Sequence, residues 1–337
     1  VYYFDCSETL PGLPFLTIEP MVSDGLDREW AVNTVTEHYI DLLAATMGHE
    51  QFYSAEAAVG VIEQLVRALF DPVHGTDSID QQDLLAAATR FHETGTPPPV
   101  SDGALYQKLA STAANAHKTF DSIMGAVVRR LGVLTNDRRL APLFEGHADE
   151  DSTFDLRAAL DEDCVIVLDM SGYLDRSRTL LSMVVLSQLW RALQRRRAEA
   201  AKGTSLPLVN CYIEEAADLA ATGILDTLLS QGRGFDLSLT LAMQFPGQLR
   251  QADSEAYAEL LNNVSTIVTG NVAVDADLKK RLATEDMTPE EVANRLRALE
   301  RGQWFVSLPS AFGTAEPRPF RVKSAPIPTG HPDHEES

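Results

Sequence analysis

Two adjacent glutamates close an apolar run, Leu208-Val209-Asn210-Cys211-Tyr212-Ile213-Glu214-Glu215-Ala216. Such a run reads as a strand, and the carboxyl end of a strand in an open α/β sheet is where ligands settle. Paired carboxylates at that place suit phosphoryl transfer, which asks for positioning and electrostatics more than covalent help. The first, Glu214, would hold Mg²⁺ through water, and the second, Glu215, would polarise the attacking water. The same pair could instead open the next helix, where acids favour the positive end of the aligned peptide dipoles. Further on, Ser230-Gln231-Gly232-Arg233-Gly234-Phe235-Asp236 leads into a second apolar run, Leu237 to Met243, which ends in Gln244. By themselves, Arg233 is a cation at a helix C-terminus and Gln244 a polar strand cap.

A third feature is basic. From Arg176 to Lys202 seven cationic residues stand against a single acid, Glu199. On a helix, Arg191, Arg195 and Lys202 share a face. With Arg196 and Arg197 they form a cluster suited to neutralising DNA phosphates, a contact independent of sequence and weakened by salt. The alternative is a solvated helix end, or a subunit contact that pairs with the acidic stretch from Asp149 to Asp163. Arg129-Arg130 with Arg138-Arg139 make a second basic candidate.

The elements that must position these groups follow from hydropathy. Runs at 1–5, 164–169, 208–213 and 237–243 are continuously apolar where half-exposed strands would alternate. They read as fully buried strands of a parallel sheet, with 266–269 and 303–308 as partners. Helical patterns at 177–201, 223–231, 255–262, 275–283 and 288–299 lie between the later strands. Strand and helix in alternation imply right-handed crossovers and a doubly wound α/β sheet. From about Asp27 to Leu143 the pattern is helical throughout, with helices expected at 29–47, 55–70, 81–91 and 105–131 and a break at Pro97-Pro98-Pro99. The chain then divides into a first strand and loop (1–26), an all-α insertion (27–148), the main α/β core (149–316) and a Pro-rich tail (317–337).

The order Ile213-Glu214-Glu215-Ala216, Gly232-Arg233-Gly234, Ala242-Met243-Gln244, continuing through Asn262-Asn263-Val264 to Ser307-Leu308-Pro309, resembles the Walker B, arginine and glutamine motifs of the hexameric DNA-pumping ATPases. These are the TraG/TraD-type conjugative coupling proteins and type IV secretion ATPases, with HerA and FtsK as relatives. The resemblance covers roughly Asp163 to Pro319 and is clearest with haloarchaeal-like conjugation ATPases. It implies a RecA-like P-loop fold, ATP and Mg²⁺, a homohexameric ring, DNA as substrate and secretion-channel proteins as partners. Residue by residue, Glu215 matches the catalytic glutamate. Glu214 stands where the family has aspartate on Mg²⁺, so its carboxylate reaches one methylene further. Gln244 matches the glutamine that senses the γ-phosphate, and Arg233 an arginine presented to a neighbouring subunit's nucleotide.

One motif is missing. No G-x-x-x-x-G-K-[ST] phosphate loop occurs in the 337 residues. In the family that loop precedes the strand which 1–5 resembles, so a loop just upstream of Val1 is expected, and this chain by itself is expected to hydrolyse little ATP. The alternatives are a HerA- or FtsK-like motor for DNA repair or chromosome handling, and a catalytically silent assembly subunit. Asp5 and Asp169 close flanking strands and read as loop caps.

Composition bounds the rest. With 28 Lys+Arg against 49 Asp+Glu and a net charge of -21, a uniform surface would repel nucleic acid, and the low lysine content fits a halophilic solubility adaptation or a merely acidic mesophile protein. Three cysteines without CxxC spacing exclude a disulfide scaffold and read as small buried residues. The eight histidines form no zinc motif. No apolar run reaches the ~20 residues of a membrane helix; the expected place is the cytoplasm, or the inner membrane face through partners or missing N-terminal segments.

Overall fold

The computed structural model describes residues 1–8, 10, 13–135, 140, 143–144, 154–200, 206–219, 222–244, 254–272, 276–310 and 317–325. After β1 (Tyr2–Asp5) come seven helices, α1 (Glu19–Ser23), α2 (Arg28–Met47), α3 (His49–Tyr53), α4 (Glu56–Leu69), α5 (Gln81–Thr94), α6 (Gly103–Ala113) and α7 (His117–Leu131). They are followed by α8 (Leu156–Ala159), β2 (Ile166–Asp169), the long α9 (Asp175–Glu199), β3 (Val209–Ile213), α10 (Gly223–Gln231) and β4 (Leu237–Leu241). The chain continues with α11 (Ser254–Asn263), β5 (Ile267–Thr269), α12 (Ala276–Leu282), α13 (Pro289–Arg297), β6 (Gln303–Ser307) and β7 (Phe320–Lys323). Two compact units result, one of Val1–Cys211 with Thr222–Ser238, the other of Tyr212–Ala221 with Leu239–Ser337. The described helices of the 27–148 stretch belong to the first unit, with β1, β2 and α9.

The helical stretch starts where Asp27 caps α2, its Oδ1 accepting from the Trp30 amide at 2.9 Å, a contact that contributes about 1 kcal/mol. It stops at Gly48, whose φ of 88° favours glycine. Along α2, Ala31, Val35, Tyr39, Leu42 and Leu43 are fully buried. Inside this core Tyr39 Oη donates to Gln81 Oε1 at 2.7 Å, and Gln81 Nε2 donates to the Leu131 carbonyl at 2.8 Å. One buried amide thus joins α2, α5 and the end of α7. The pattern at 105–131 predicts one helix, yet α6 and α7 form. The cause is Asn115, whose Nδ2 donates to the Ser111 and Thr112 carbonyls at 3.4 and 3.0 Å, a side-chain bond that competes with helical continuation.

Asp71, only 4% exposed after α4, gathers the loop behind it. Its Oδ1 accepts from the Val73 and His74 amides and its Oδ2 from the Ser101 amide and hydroxyl, at 2.7 to 3.0 Å. Burial would raise its pKa, but these hydrogen bonds outweigh burial and hold it at about 2, below the ordinary 3.8. A depressed carboxylate stabilises the fold above its unfolded pKa and ceases to do so as pH falls through the folded one. Thermal unfolding scans between pH 4 and pH 2 are therefore expected to show Tm falling less steeply in Asp71→Asn than in the parent, because the variant has lost this carboxylate already at pH 7.

The parallel expectation holds in part. β1 pairs with β2 in parallel, Tyr2 opposite Ile166 and Asp5 opposite Asp169. β3 lies beside β4, bonded from the Val209 amide to the Asp236 carbonyl at 2.9 Å and from the Ala242 amide to the Ile213 carbonyl at 2.8 Å. β5, β6 and β7 instead form an antiparallel sheet, with Ile267 opposite Ser307 and Gln303 opposite Lys323. Nor are the strands buried on both faces, for Tyr3 is 60% and Tyr212 73% exposed. Cys6 is buried, while Cys164 and Cys211 are partly exposed; all three are free thiols. Among the described residues no helix is long and apolar enough to cross a membrane.

Candidate active site

The two glutamates sit where the sequence places them, just past β3. The Ala242 amide donates to the Ile213 carbonyl on one side of them, and the Ala216 amide donates to the Ala242 carbonyl at 3.0 Å on the other. Between these bonds the backbone turns sharply, because Glu215 takes φ 51°. That left-handed conformation is unusual for a residue with a long side chain. The chain then enters a short 3-10 turn, Ala216–Leu219, buried at Ala216 and Leu219.

The turn brings Glu215 to Gln244, three residues beyond the end of β4. Gln244 Nε2 donates to Glu215 Oε1 at 2.7 Å, a short bond to a carboxylate and so among the stronger kinds. Two residues 29 apart in sequence meet at the ends of neighbouring strands. Glu214 is exposed beside them. No group of three or more His, Cys, Asp or Glu able to hold a metal occurs among the described residues. Mg²⁺ needs no such cage, since it keeps several waters and takes one or two carboxylates together with substrate phosphates. The donor chemistry of Glu214 fits that use.

Arg233 lies in the other unit, exposed in the 3-10 turn Gly232–Phe235 that follows α10. The first glycine of Gly232-Arg233-Gly234 is a packing requirement, as a Cβ on Gly232 would stand 3.0 Å from Leu237 Cδ2. Asp236 closes the turn at φ 57°. Asp5 and Asp169 act as the loop caps expected of them. Asp5 Oδ1 accepts from the Ser7 amide and hydroxyl, and Asp169 accepts from the Ser171 amide and the Tyr3 hydroxyl.

The basic cluster on α9 requires correction. Arg191 and Arg196 are 3% and 1% exposed and face inward, so neither guanidinium is open to a phosphate backbone. Arg196 Nε donates to Asp161 Oδ1 at 3.0 Å and its Nη1 to the Pro207 carbonyl at 3.0 Å. Arg195 pairs with Asp24. Arg197, 42% exposed in its side chain, has its Nη1 3.9 Å from Asp236 Oδ2. Arg176 has only its backbone described, and Lys202 lies outside the described residues. In the second basic candidate Arg130 is likewise buried, and Arg138-Arg139 lie outside the described residues. Asp161, 35 residues from Arg196, belongs to the acidic stretch expected as an alternative pairing partner, although the pair forms within the chain; Asp24, 171 residues from Arg195, gives no local signal.

No protein-family profile matches the sequence, and no curated protein matches it. Solved structures do. The chain is similar to the unbound bacterial conjugative coupling protein TrwBdeltaN70, with 12% identity, a TM-score of 0.59, and coverage of 96% of this chain and 73% of that one. It is similar to the plasmid coupling protein TrwB in complex with ADP and Mg²⁺, at 14% identity and a TM-score of 0.52 over 86% of this chain and 68% of that one. It is also similar to VirB4 of Thermoanaerobacter pseudethanolicus, at 13% identity and a TM-score of 0.53 over 98% and 77%. At such identities the likeness is one of fold. The chain has the RecA-like α/β fold that its motifs lead one to expect.

Proposed function

We propose that this chain is the motor part of an ATP-driven DNA translocase of the conjugative-transfer or type IV secretion kind. The observation that carries the reading is the hydrogen bond between Gln244 Nε2 and Glu215 Oε1 at the ends of adjacent strands. It couples a carboxylate able to orient water to an amide able to register what occupies the site. The likeness to a coupling protein crystallised with ADP and Mg²⁺ supports the choice of nucleotide.

In this reading Glu215 holds and polarises the attacking water, and before nucleotide binds Gln244 keeps its carboxylate in place through Oε1. Glu214 would hold Mg²⁺ through water, and the bound ion would neutralise phosphate charge. Gln244 exchanges its bond to Glu215 for one to the γ-phosphate and so reports the nucleotide state to β4. Arg233, exposed on its turn, reaches the nucleotide of the next subunit in a homohexameric ring, where an arginine supplied in trans stabilises developing charge. The exposed Arg197 takes over from the buried arginines as the DNA-facing cation of α9, and secretion-channel proteins are the partners.

The test is Gln244→Ala in the native gene product, with steady-state ATP hydrolysis measured with and without DNA. Loss of one hydrogen bond to a charged group slows a step by about 10-fold or more. Turnover is expected to fall by that factor and to lose its stimulation by DNA, with nucleotide affinity kept. Unchanged, DNA-stimulated turnover would overturn the coupling role.

A further inference from the structure

A cavity of about 230 Å³ opens within the first unit, away from the glutamate pair in sequence and built by α8, α9 and the segment around α1. Its wall is mainly apolar, with Leu13, Met21 and Phe154, but three arginines, Arg157, Arg191 and Arg195, and one carboxylate, Asp155, also line it; Asp155 is engaged in capping α8, its Oδ1 accepting from the Ala158 amide at 3.1 Å. Two of the arginines are balanced. Arg157 pairs with Asp161 and Glu199, and Arg195 with Asp24. Among the described residues no carboxylate pairs with Arg191. Its Nη1 donates to the Phe15 carbonyl at 2.7 Å, its Nε to His38 Nδ1 at 3.3 Å, and its Cζ stands 4.6 Å from the centre of the Phe15 ring. Its Nη2 is buried with no hydrogen-bond partner among the described residues, as is Nε of Arg157.

His38 does not supply the missing negative charge, because burial first and Arg191 second lower its pKa to about 3 and keep it neutral. Burial also lowers Arg191 itself, to about 9. A guanidinium that stays cationic at neutral pH, 97% out of solvent and one donor short, is costly unless an anion completes it. The adjoining apolar space is of the scale that admits a single small ring, since a 150 Å³ engineered apolar cavity takes up benzene.

The geometry points to a binding site for a small organic acid, its carboxylate on the free donor of Arg191 and its apolar body against Leu13, Met21 and Phe154. Nothing in the phosphoryl-transfer reading uses this cavity, and the site stands whether or not that reading does.

Thermal unfolding of the chain with sodium benzoate, its neutral analogue benzamide, inorganic phosphate and sodium chloride at matched ionic strength tests it. Benzoate is expected to raise Tm in a concentration-dependent way, reaching about 3 °C when it is well above its Kd, while the other three give no more than chloride. Arg191→Met is expected to abolish the benzoate response. Should that variant not fold, Ala192→Leu, which narrows the cavity and keeps Arg191, must abolish it instead. Equal shifts from benzoate and benzamide, or from benzoate and phosphate, overturn the proposal, as does no benzoate shift up to ~50 mM, a concentration weaker than any specific millimolar site requires.

Discussion

Glu215→Gln is expected to lower kcat for ATP hydrolysis by about 10² to 10⁴, the range for a positioned side chain that handles the proton of the attacking water, while leaving nucleotide affinity near the parent value. The substitution keeps the size of the side chain and an oxygen that can still accept from Gln244 Nε2. What it removes is the negative charge that polarises water. The measurement is phosphate release by the native gene product, with nucleotide binding followed separately, so that a loss of turnover is not confused with a loss of binding. Turnover retained within threefold would remove Glu215 from the mechanism, whatever the hydrogen bond to Gln244 does. Glu214→Gln in the same assay should act differently, raising the Mg²⁺ concentration needed for half-maximal rate.

Arg130→Ala carries the largest expected effect on stability, about 3 to 5 kcal/mol. Although Arg129-Arg130 reads in sequence as a surface cluster, the Arg130 guanidinium is buried against α3. Its Nη2 donates to the Phe52 carbonyl at 2.9 Å and the Gln51 carbonyl at 3.1 Å, and its Nη1 to the Ala126 carbonyl at 3.3 Å. It also stands 5.8 Å from the centre of the Phe52 ring. Alanine would take both guanidinium donors from the carbonyl of fully buried Phe52, while the Gln51 carbonyl keeps the Ser54 hydroxyl and the Ala126 carbonyl its place in the helix, and it would open a hole the size of the side chain. Urea unfolding should show the midpoint moving sharply while Arg129→Ala moves it little. Were Arg130 a DNA contact, its loss would weaken DNA binding and leave the midpoint in place.

These two residues show what was legible. β3, β4 and α10 were open to reading because their patterns are local: apolar runs closed by polar residues, and a helix bounded by Gly223 and Gly232. That Glu215 and Gln244 each follow a strand could be read from those patterns; that the two side chains meet could not, because nothing local says which strands are neighbours. Strand direction did not follow, since β5 and β6 carry the same apolar residues whichever way they pair. The arginines of α9 misled because a basic run looks solvated until its acids are known, and those lie in other elements. The left-handed turn at Glu215 had no signal either, for glycine or asparagine normally marks such a place.

That turn has a consequence for how the residue is chosen. A backbone at φ 51° disfavours any ordinary side chain by about 1 kcal/mol relative to glycine, so conformational preference alone would fill the position with glycine, asparagine or aspartate. The three smaller candidates either lack a carboxylate or hold it one methylene short of Gln244. Under the proposed mechanism folding and chemistry therefore select in opposite directions at this one position, and the residue present is the one that folding disfavours. It marks a point of stability–activity conflict, with the backbone kept in its uncomfortable well by the interstrand bonds on either side of it.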